Sequence, residues 1–373
     1  MRFISLQENL KKGLNITGHI TSKNINLPIL NNILIKTTNG DIEFVSTNLE
    51  IGINYKVRGK IEEEGEFTVD SKIINEYINI LGFGEKVLIE SDDKEMKVEA
   101  GNYKTKIKGE QSTDFPLIPT IEKDEFYSLN INDFKKALSN VIFSVSNNEN
   151  RLELTGVLFN FNKEGLSFAA TDSYRLAEKN IKILNNDIEE DGNYIVPAKT
   201  IQELLRILNY FDTNKDDDNE IKIYLSENQI LFVYDSFSLI SRLINGNYPD
   251  YKQIIPVNNT TKAVVKKDEL LRAVKAASLF SKNGINDILL QFNKNNLIIS
   301  SYSGSTGESK ININCIIEGE INDITINYRY LIDGLNNIDS ENIIIEMSNN
   351  NSPCLIKKEN NEDYVYIIMP IRQ

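Results

Sequence analysis

Six basic residues recur at matching places along the chain, and their side chains could bind phosphate groups. Three of them each follow the apolar anchor of a helix-like segment by two positions: Lys12, Lys136 and Arg272. Three more each follow the anchor of a second helix-like segment by three positions: Lys72, Lys199 and Arg329. Two positions on a helix are about 200° apart, so the first three should point away from the buried stripe. A single such cation usually only solubilises a surface, but agreement in three copies favours helices that face one polyanion and contact its phosphates without reading sequence.

Catalytic and metal-binding patterns are missing from the sequence. His19 is the single histidine, so neither a histidine metal site nor a Ser-His-Asp triad is easy to build. The phosphate-loop pattern GxxxxGK[ST] is absent. Asp172, in "TDSYRLA", is better explained as a turn residue that leads into a strand than as a catalytic carboxylate. We therefore expect no enzyme activity, no metal and no cofactor.

The composition is that of a soluble globular chain with an acidic balance. Hydrophobic residues make up 40% and charged residues 25%, and the formal net charge is −13. The charge argues against a generic cationic nucleic-acid binder but does not describe how charge is distributed. No apolar run approaches the roughly 20 residues that span a bilayer, and "MRFISLQENL" lacks the features of a signal peptide. With only two cysteines, the chain is expected in a reducing cytoplasm, at the nucleoid, and not at a membrane.

The chain repeats itself three times. One helix-like pattern recurs in "LQENLKKGLN", "LNINDFKKALSN" and "VKKDELLRAVKAA". A second recurs in "FTVDSKIINEYINIL", "YIVPAKTIQELLRIL" and "ITINYRYLIDGLNNI", whose anchors Val69, Val196 and Ile326 are 127 and 130 residues apart. Strand-like stretches such as "DIEFVS", "GLSFAAT" and "NLIISS" lie between the helices, and hairpin-like pairs follow them. Each unit is therefore predicted to be α+β, with two helices and β-sheets.

The middle copy shows the helical period most clearly. Five of its apolar residues fall on one stripe: Phe134, Leu138, Val141, Ile142 and Val145. Asn132 or Asp133 is predicted to cap the start of this helix.

The repeats are joined by two proline-containing stretches. "DFPLIPT" and "NYPDYKQIIP" hold four of the eight prolines, which remove backbone donors and favour extended connections. The predicted domains are residues 1–121, 122–256 and 257–373.

The end of the chain, "YVYIIMPIRQ", is unusually apolar for a terminus. It is either an edge strand of a core or part of a groove that another molecule fills. Because side chains alternate along a strand, one face could pack inward while the other lines the groove.

Four motifs in the correct order on this threefold repeat carry a resemblance: "LPIL", "TDSYRLA", "RLINGNYPDY" and "MPIR". Together they make the chain similar, over essentially its whole length, to the bacterial DNA polymerase III β subunit family, the processivity sliding clamps. The resemblance implies a head-to-tail homodimer whose six domains close a ring, with twelve helices lining a hole that admits duplex DNA. It implies a non-enzymatic tether that confers processivity in DNA replication.

The resemblance and the repeat together assign the expected contacts. The expected DNA-binding residues are Lys12, Lys23, Asn24, Lys72, Lys136, Asn148, Lys199, Arg272 and Arg329. The expected dimer contacts are Lys104 and Ile107 of one chain with Leu279 and Phe280 of the other. DNA would be bound without sequence specificity.

The resemblance also answers the question raised by the tail. It implies a hydrophobic groove between the second and third domains, which takes short peptide motifs of the DNA polymerase III α subunit, the clamp loader, other polymerases and repair proteins. The groove would involve Arg151, Leu154, Thr171, Ser173, Tyr174, Arg175, Leu176, Pro249, Ile254, Ile367, Met369, Pro370, Ile371 and Arg372. Met369 is flexible and polarizable, which suits a site with many partners.

The sequence departs from the family pattern at several positions. Ser173 and Tyr174 stand where glycine and histidine are frequent, and Leu152 and Glu153 stand where aromatic residues can occur. Asn24 replaces a common arginine, with Lys23 beside it. An alternative function remains open from the residues: a repeat scaffold that binds peptides but does not encircle DNA.

Overall fold

The structure is a computed structural model that describes residues 1–21, 26–92, 94–121, 125–163, 165–186, 191–211, 219–282, 284–359 and 361–372. Its helices and strands follow the predicted threefold repeat. The elements of the first repeat are β1 (Arg2–Leu6), α1 (Gln7–Thr17), β2 (Asn32–Thr38), β3 (Asp41–Thr47), β4 (Ile51–Val57), β5 (Gly59–Glu63), β6 (Gly65–Asp70), α2 (Ser71–Ile80), β7 (Lys86–Ser91), β8 (Glu95–Ala100) and β9 (Tyr103–Glu110).

The second and third repeats have the same order of helices and strands as the first. The second contains β10 (Tyr127–Asn130), α3 (Ile131–Val141), β11 (Gly156–Asn162), β12 (Gly165–Thr171), β13 (Arg175–Ile181), β14 (Asn185–Asn186), β15 (Gly192–Pro197), α4 (Ala198–Leu208), β16 (Glu220–Leu225), β17 (Gln229–Tyr234) and β18 (Phe237–Arg242). The third contains β19 (Thr261–Lys266), α5 (Lys267–Ser278), β20 (Asp287–Phe292), β21 (Asn296–Ser303), β22 (Gly307–Asn314), β23 (Ile316–Gly319), β24 (Asn322–Asn327), α6 (Tyr328–Asn337), β25 (Asn342–Met347), β26 (Cys354–Lys358) and β27 (Asn361–Ile368).

At the starts of α2, α3 and α6 a polar side chain accepts a hydrogen bond from a backbone N–H of the first turn. Asp70 accepts from the Ile73 N–H at 2.8 Å at the start of α2, as an N-cap does. The predicted cap of α3 is wrong by two residues, because the Asn130 side chain accepts from the Asn132 N–H at 3.0 Å. The helix therefore starts one residue before Asn132. Its apolar stripe is buried as predicted as far as Val141, after which a single 3₁₀ turn follows.

The strands form two large antiparallel sheets that cross from one repeat to the next. The first has the order β14-β10-β16-β17-β18-β4-β3-β2-β6-β9-β8-β7-β1-β5, and the second has the order β15-β11-β12-β13-β27-β26-β25-β19-β23. A four-stranded sheet has the order β22-β21-β20-β24. We call the pairing of β4 with β18 the first junction and the pairing of β13 with β27 the second junction.

The chain divides into two compact units. One comprises residues 1–132, 183–189 and 199–243 and contains the first junction. The other comprises residues 133–182, 190–198 and 244–373 and contains the second junction. Because this division runs through the second repeat, the domain limits at 121 and 256 stay a prediction.

The tail is more deeply packed than the sequence indicates. β27 lies between β13 and β26, so it is an interior strand of its sheet and not an edge. Tyr364, Tyr366, Ile367 and Ile368 are all buried. Tyr364, Tyr366 and Ile368 share a buried face, while on the other face Val365 is half-buried beside the buried Ile367. The division into a core face and a groove face stays a prediction. Met369, which follows the strand, is partly exposed.

Candidate functional site

Five of the predicted phosphate-binding cations are exposed on helices. They are Lys72 on α2, Lys136 on α3, Lys199 on α4, Arg272 on α5 and Arg329 on α6. Each of these helices has a buried apolar stripe, such as Ile74 and Ile78 on α2, and the helical period turns the cations away from that stripe. Lys72 lies 3.8 Å from Glu76, with both side chains largely exposed, and such a pair contributes little and can open.

Lys136 has a closer acidic neighbour than the other helix cations. Its ammonium donates to Asp339 Oδ2 at 2.9 Å, and this contact lowers the pKa of Asp339. A phosphate at Lys136 would have to displace an exposed carboxylate.

Lys12 differs from its counterparts in the other repeats. Its side chain is half-buried, with Nζ 4.0 Å from the ring centroid of Phe211 and 6.0 Å from that of Tyr55. Burial lowers the pKa of Lys12 and is the largest influence on it. The cation therefore packs on aromatic faces at the first junction, where it is less available to an outside anion.

The remaining predicted DNA contacts lie in loops. Asn148 is exposed in a turn, and its Oδ1 accepts from the Asn150 N–H at 3.0 Å. Lys23 and Asn24 lie outside the described residues.

The predicted groove centres on the turn between β12 and β13, residues 171–175. Thr171 Oγ1 donates to the Arg175 carbonyl at 2.6 Å, and Asp172 Oδ1 accepts from the N–H groups of Tyr174 and Arg175 at 2.9 and 3.0 Å. Ser173 has φ +78°, in the left-handed region, which the surrounding bonds hold in place. This network fixes a rigid corner and leaves Tyr174 64% exposed at its tip.

Arg175 ties the corner to the third repeat. Its guanidinium donates to Asp172 at 2.9 Å and to Asp333 at 2.6 Å. The same group lies 4.6 Å from the ring centroid of Tyr330 and 5.7 Å from that of Phe143. Arg175 is therefore committed to internal partners and is a structural residue of the second junction.

The tail continues along this corner. The Met369 N–H donates to the Tyr174 carbonyl and the Ile371 N–H to the Thr325 carbonyl, each at 2.8 Å. Met369, Pro370 and Ile371 are half-buried, and Arg372 is exposed. These bonds hold the last described residues beside the exposed side of the turn.

Several predicted groove residues form its floor and not its walls. Leu154 is 1% exposed, and Thr171, Leu176 and Ile367 are also buried. Leu176 and Ile367 belong to a cluster that includes Leu158 and is covered by half-buried side chains of residues 244–255. The residues that an incoming molecule can reach are Arg151, Ser173, Tyr174, Pro249, Ile254 and residues 369–372.

Arg151 stands at the rim of this surface. It donates to Ser173 Oγ at 2.9 Å and to Glu153 Oε1 at 3.1 Å. The rim is thus polar around an apolar floor, an arrangement common in peptide-binding surfaces.

A pocket of about 440 Å³ opens beside this surface, and the sequence did not predict most of its lining. Of the predicted residues only Pro249 lines it, together with Leu158, Ile195, Tyr248 and Tyr251. The repeat could have revealed Leu158 and Ile195, since they face each other in the β11–β15 pair under the proline stretch.

The predicted dimer contacts are only partly at the surface. Leu279 is 73% exposed, Phe280 is half-buried, and Lys104 is exposed and paired with Glu99 at 3.0 Å. Ile107 is 5% exposed because it faces Met96 inside its own sheet, so its side chain cannot form the expected contact. Only the backbone of Ile107, as part of β9, is left to contact another chain.

An exposed apolar surface on and beside α2 was missed by the sequence reading. Ile73, Ile80 and Phe83 are all exposed there. A comparison across the 127-residue interval could have found them, because the equivalents of Ile73 and Ile80 on α4 are the buried Thr200 and Ile207. The same helix face is covered in one repeat and bare in another.

Two features are absent from the described residues. None of the helices there is long and apolar enough to cross a membrane. No group of three or more histidine, cysteine, aspartate or glutamate side chains within those ranges is arranged to hold a metal ion.

Comparison with known proteins agrees with this architecture. Curated relatives called "Beta sliding clamp" from Staphylococcus epidermidis and Staphylococcus aureus are 27% and 26% identical to the chain, over 100% of it and 99% of each relative. Among solved structures, a putative DNA polymerase III beta subunit from Eubacterium rectale superimposes with a TM-score of 0.92 at 29% identity, covering all of both chains. The DNA polymerase III subunit beta from Pseudomonas aeruginosa bound to griselimycin gives 0.93 at 25% identity, also over both whole chains.

The family models match each repeat in turn. The N-terminal, central and C-terminal domains of the DNA polymerase III beta subunit match residues 1–119, 128–250 and 252–372. The predicted resemblance is confirmed: the chain belongs to the DNA polymerase III beta subunit family of sliding clamps, which are processivity factors and not enzymes.

Proposed function

We propose that two copies of this chain close head to tail around duplex DNA, and that the surface at the second junction holds peptide segments of replication proteins. The main support for a ring is that the chain has one junction fewer than it has repeats. The chain has three repeats and two internal junctions, which leaves one joining surface unused at each end.

The two internal junctions are built alike, from strands and helices at the same repeat positions. At the first, the Arg206 guanidinium of α4 donates to the Asn15 and Ile16 carbonyls of α1 at 2.9 and 2.7 Å. At the second, Asn140 of α3 donates to the Asn337 carbonyl at the end of α6. The strand pairs β4–β18 and β13–β27 accompany these contacts.

The strands that would form a third junction have free edges within the described residues. By repeat position these are β22 and β9. β22 pairs only with β21, and β9 pairs with β8 and, at its last two residues, with β6. Unpaired edges are templates for pairing with another chain, so β22 of one copy would pair with β9 of the next.

The helix faces beside these edges are apolar. Ile73, Ile80 and Phe83 are exposed near β9, and Leu279 and Tyr302 are exposed near β22. In the repeat, Leu279 corresponds to His19 and Phe143, which both contact the facing repeat at the internal junctions. This equivalence supports a head-to-tail contact between copies at the same repeat positions.

The DNA-binding part of the proposal rests on the exposed helix cations at matching repeat positions. Phosphate contacts of this kind give affinity that is independent of base sequence and falls with salt. Lys12 contributes less than predicted, because its charge packs on Phe211.

The peptide-binding part rests on the exposed residues around the β12–β13 turn and the tail. An apolar floor beneath a polar rim suits short motifs with apolar anchors. We propose the DNA polymerase III α subunit, the clamp loader, other polymerases and repair proteins as its partners.

Retention on DNA circles tests the ring directly. A bacterial clamp loader would place the protein on a singly nicked circular plasmid, and gel filtration would separate bound from free protein. We expect co-elution with circles at moderate salt and loss of the protein after a restriction enzyme linearises them. Equal retention on circular and linear DNA would contradict encirclement. No retention on either would favour the peptide-binding scaffold.

A further inference from the structure

The first junction carries a copy of the corner that centres the predicted groove. In the turn between β3 and β4, Thr47 Oγ1 donates to the Ile51 carbonyl at 2.9 Å. Asn48 Oδ1 accepts from the N–H groups of Glu50 and Ile51 at 3.0 and 2.8 Å, and Leu49 has φ +74°. Each of these features has its equivalent in residues 171–175. The chain therefore presents the same rigid corner at both junctions.

The floors beneath the two corners differ at the position of Gly52. Gly52 pairs with Ile240 at the first junction, where Leu176 pairs with Ile367 at the second. A Cβ atom on Gly52 would lie 2.9 Å from Ile118 Cγ2 and 3.0 Å from Ile240 Cγ2. The glycine thus makes room for Ile118 of the proline stretch.

A pocket of about 680 Å³ lies over this floor. Its apolar lining includes Leu34, Val45, Phe115, Ile118 and Ile240. The volume falls in the range of roughly 300–1,000 Å³ that is usual for ligand pockets. The space is therefore present in the free chain and large enough for two or three apolar side chains.

The pocket contains carboxylate and amide oxygens that accept hydrogen bonds, from Glu43, Glu66 and Asn54. Asn54 Oδ1 is buried there and has no hydrogen-bond partner among the described residues. Two carboxylates, Glu43 and Glu66, face a single cation, Lys36, which lies 3.4 Å from Glu66. An occupant that supplies N–H donors and a positive charge would complement this lining. The chain's net charge of −13 would also attract a cationic occupant.

We propose that the pocket at the first junction is a second docking site, which binds a short, extended, cationic peptide segment of a partner protein. Apolar side chains of the segment enter the space over Gly52, a backbone N–H bonds to Asn54 Oδ1, and a lysine or arginine side chain meets Glu43 and Glu66. The site is separate from the surface at the second junction, so a clamp with both could hold two partners on one copy of the chain.

Two fluorescent peptides and one pair of substitutions at matching repeat positions test this site. The probes are acetylated Leu-Lys-Leu-Lys-Leu and Leu-Glu-Leu-Glu-Leu, measured by fluorescence anisotropy on the intact protein. The first substitution is Ser238→Trp, whose indole ring would fill the pocket. Ser238 lines the pocket, is half-buried and faces Asn54 on the neighbouring strand. The matched variant is Val365→Trp, since Val365 pairs with Glu178 at the second junction as Ser238 pairs with Asn54 at the first.

We expect the lysine peptide to bind better than the glutamate peptide, and Ser238→Trp to weaken it at least about tenfold while Val365→Trp does not. Loss with Val365→Trp alone would overturn the second site and leave the groove of the second junction standing. Equal binding of both peptides, or retention in both variants, would also overturn it. If Ser238→Trp does not fold, Glu43→Lys serves instead, and it should reverse the preference between the two peptides.

Discussion

At the scale of single residues, exposure decides which predicted site residues can do what the sequence assigns them. Residue type and order placed the corner at residues 171–175 correctly, because Thr, Asp and Ser in a row favour a hydrogen-bonded turn. The burial of each side chain could not be predicted from the sequence, because it depends on which distant strand packs against that residue. Leu154 and Met369 were both expected to line the groove, yet Leu154 is buried and Met369 is half-exposed.

Truncating these two residues should therefore have different effects. We expect Leu154→Ala to lower the free energy of unfolding by about 2–4 kcal/mol, because it leaves a cavity in a packed floor. Met369→Ala should change stability little and weaken a bound polymerase α-subunit peptide on the order of tenfold. Urea unfolding and anisotropy titration measure the two effects. Equal stability losses in both variants would show that Met369 also belongs to the core.

Arg206 provides a second prediction at this scale. Its guanidinium donates to Glu203 Oε1 at 2.6 Å and to Oε2 at 3.0 Å, and His19 Nδ1 lies 2.7 Å from the same Oε2. Glu203 is 5% exposed. Arg206→Met leaves the buried carboxylate of Glu203 with one partner. We therefore expect the free energy of unfolding to fall by about 3 kcal/mol. Lys72→Met, which removes an exposed pair, should cost less than about 0.5 kcal/mol. A similar small loss for Arg206→Met would mean that water replaces its bonds.

At the scale of elements, the sequence predicts the order of helices and strands better than it predicts the exposure of individual residues. The two helix patterns and the hairpins of each repeat occur where expected, because periodicity is a local property. Which face of a helix stays bare is not local. α2 and α4 have the same pattern, yet Ile80 is 73% exposed while its equivalent Ile207 is buried. The surroundings distinguish them: α4 contacts α1 of the facing repeat through Arg206, whereas α2 packs beside α1 of its own repeat and leaves Ile80 exposed.

This bare face of α2 gives a prediction about assembly. Ile80→Glu should place a charge in the apolar contact with the next copy and convert the dimer to a folded monomer at micromolar concentration. Light scattering after gel filtration measures the mass. The matched control is Leu117→Glu, since Leu117 is 97% exposed but lies at the first junction. A dimer that survives Ile80→Glu would exclude α2 from the joint.

At the scale of the whole molecule, the proposed DNA contact would use the acidic balance and the basic helix positions together. A net charge of −13 would disfavour DNA binding elsewhere on the surface, while the cations at the repeated helix positions would contact phosphates without reading base sequence. A ring that slides needs this combination, because strong or specific contacts would hold it in one place. The basic helix positions could be predicted from the sequence because they recur in all three repeats.

Charge reversal at one cation of each repeat tests this division of charge. Lys72→Glu, Lys199→Glu and Arg329→Glu together alter three exposed helix positions, one in each repeat. If each contacts one phosphate, the slope of log affinity against log salt should fall by about 2.7 per chain, since each contact contributes roughly 0.9. Lys60, Lys94 and Lys294 are exposed outside the helices, and their reversal to glutamate changes net charge equally. Because net charge acts at long range but counterion release requires contact, the control should lower affinity slightly and keep the slope. Equal slopes in the two variants would mean that net charge, and not the helix positions, governs how the ring meets DNA.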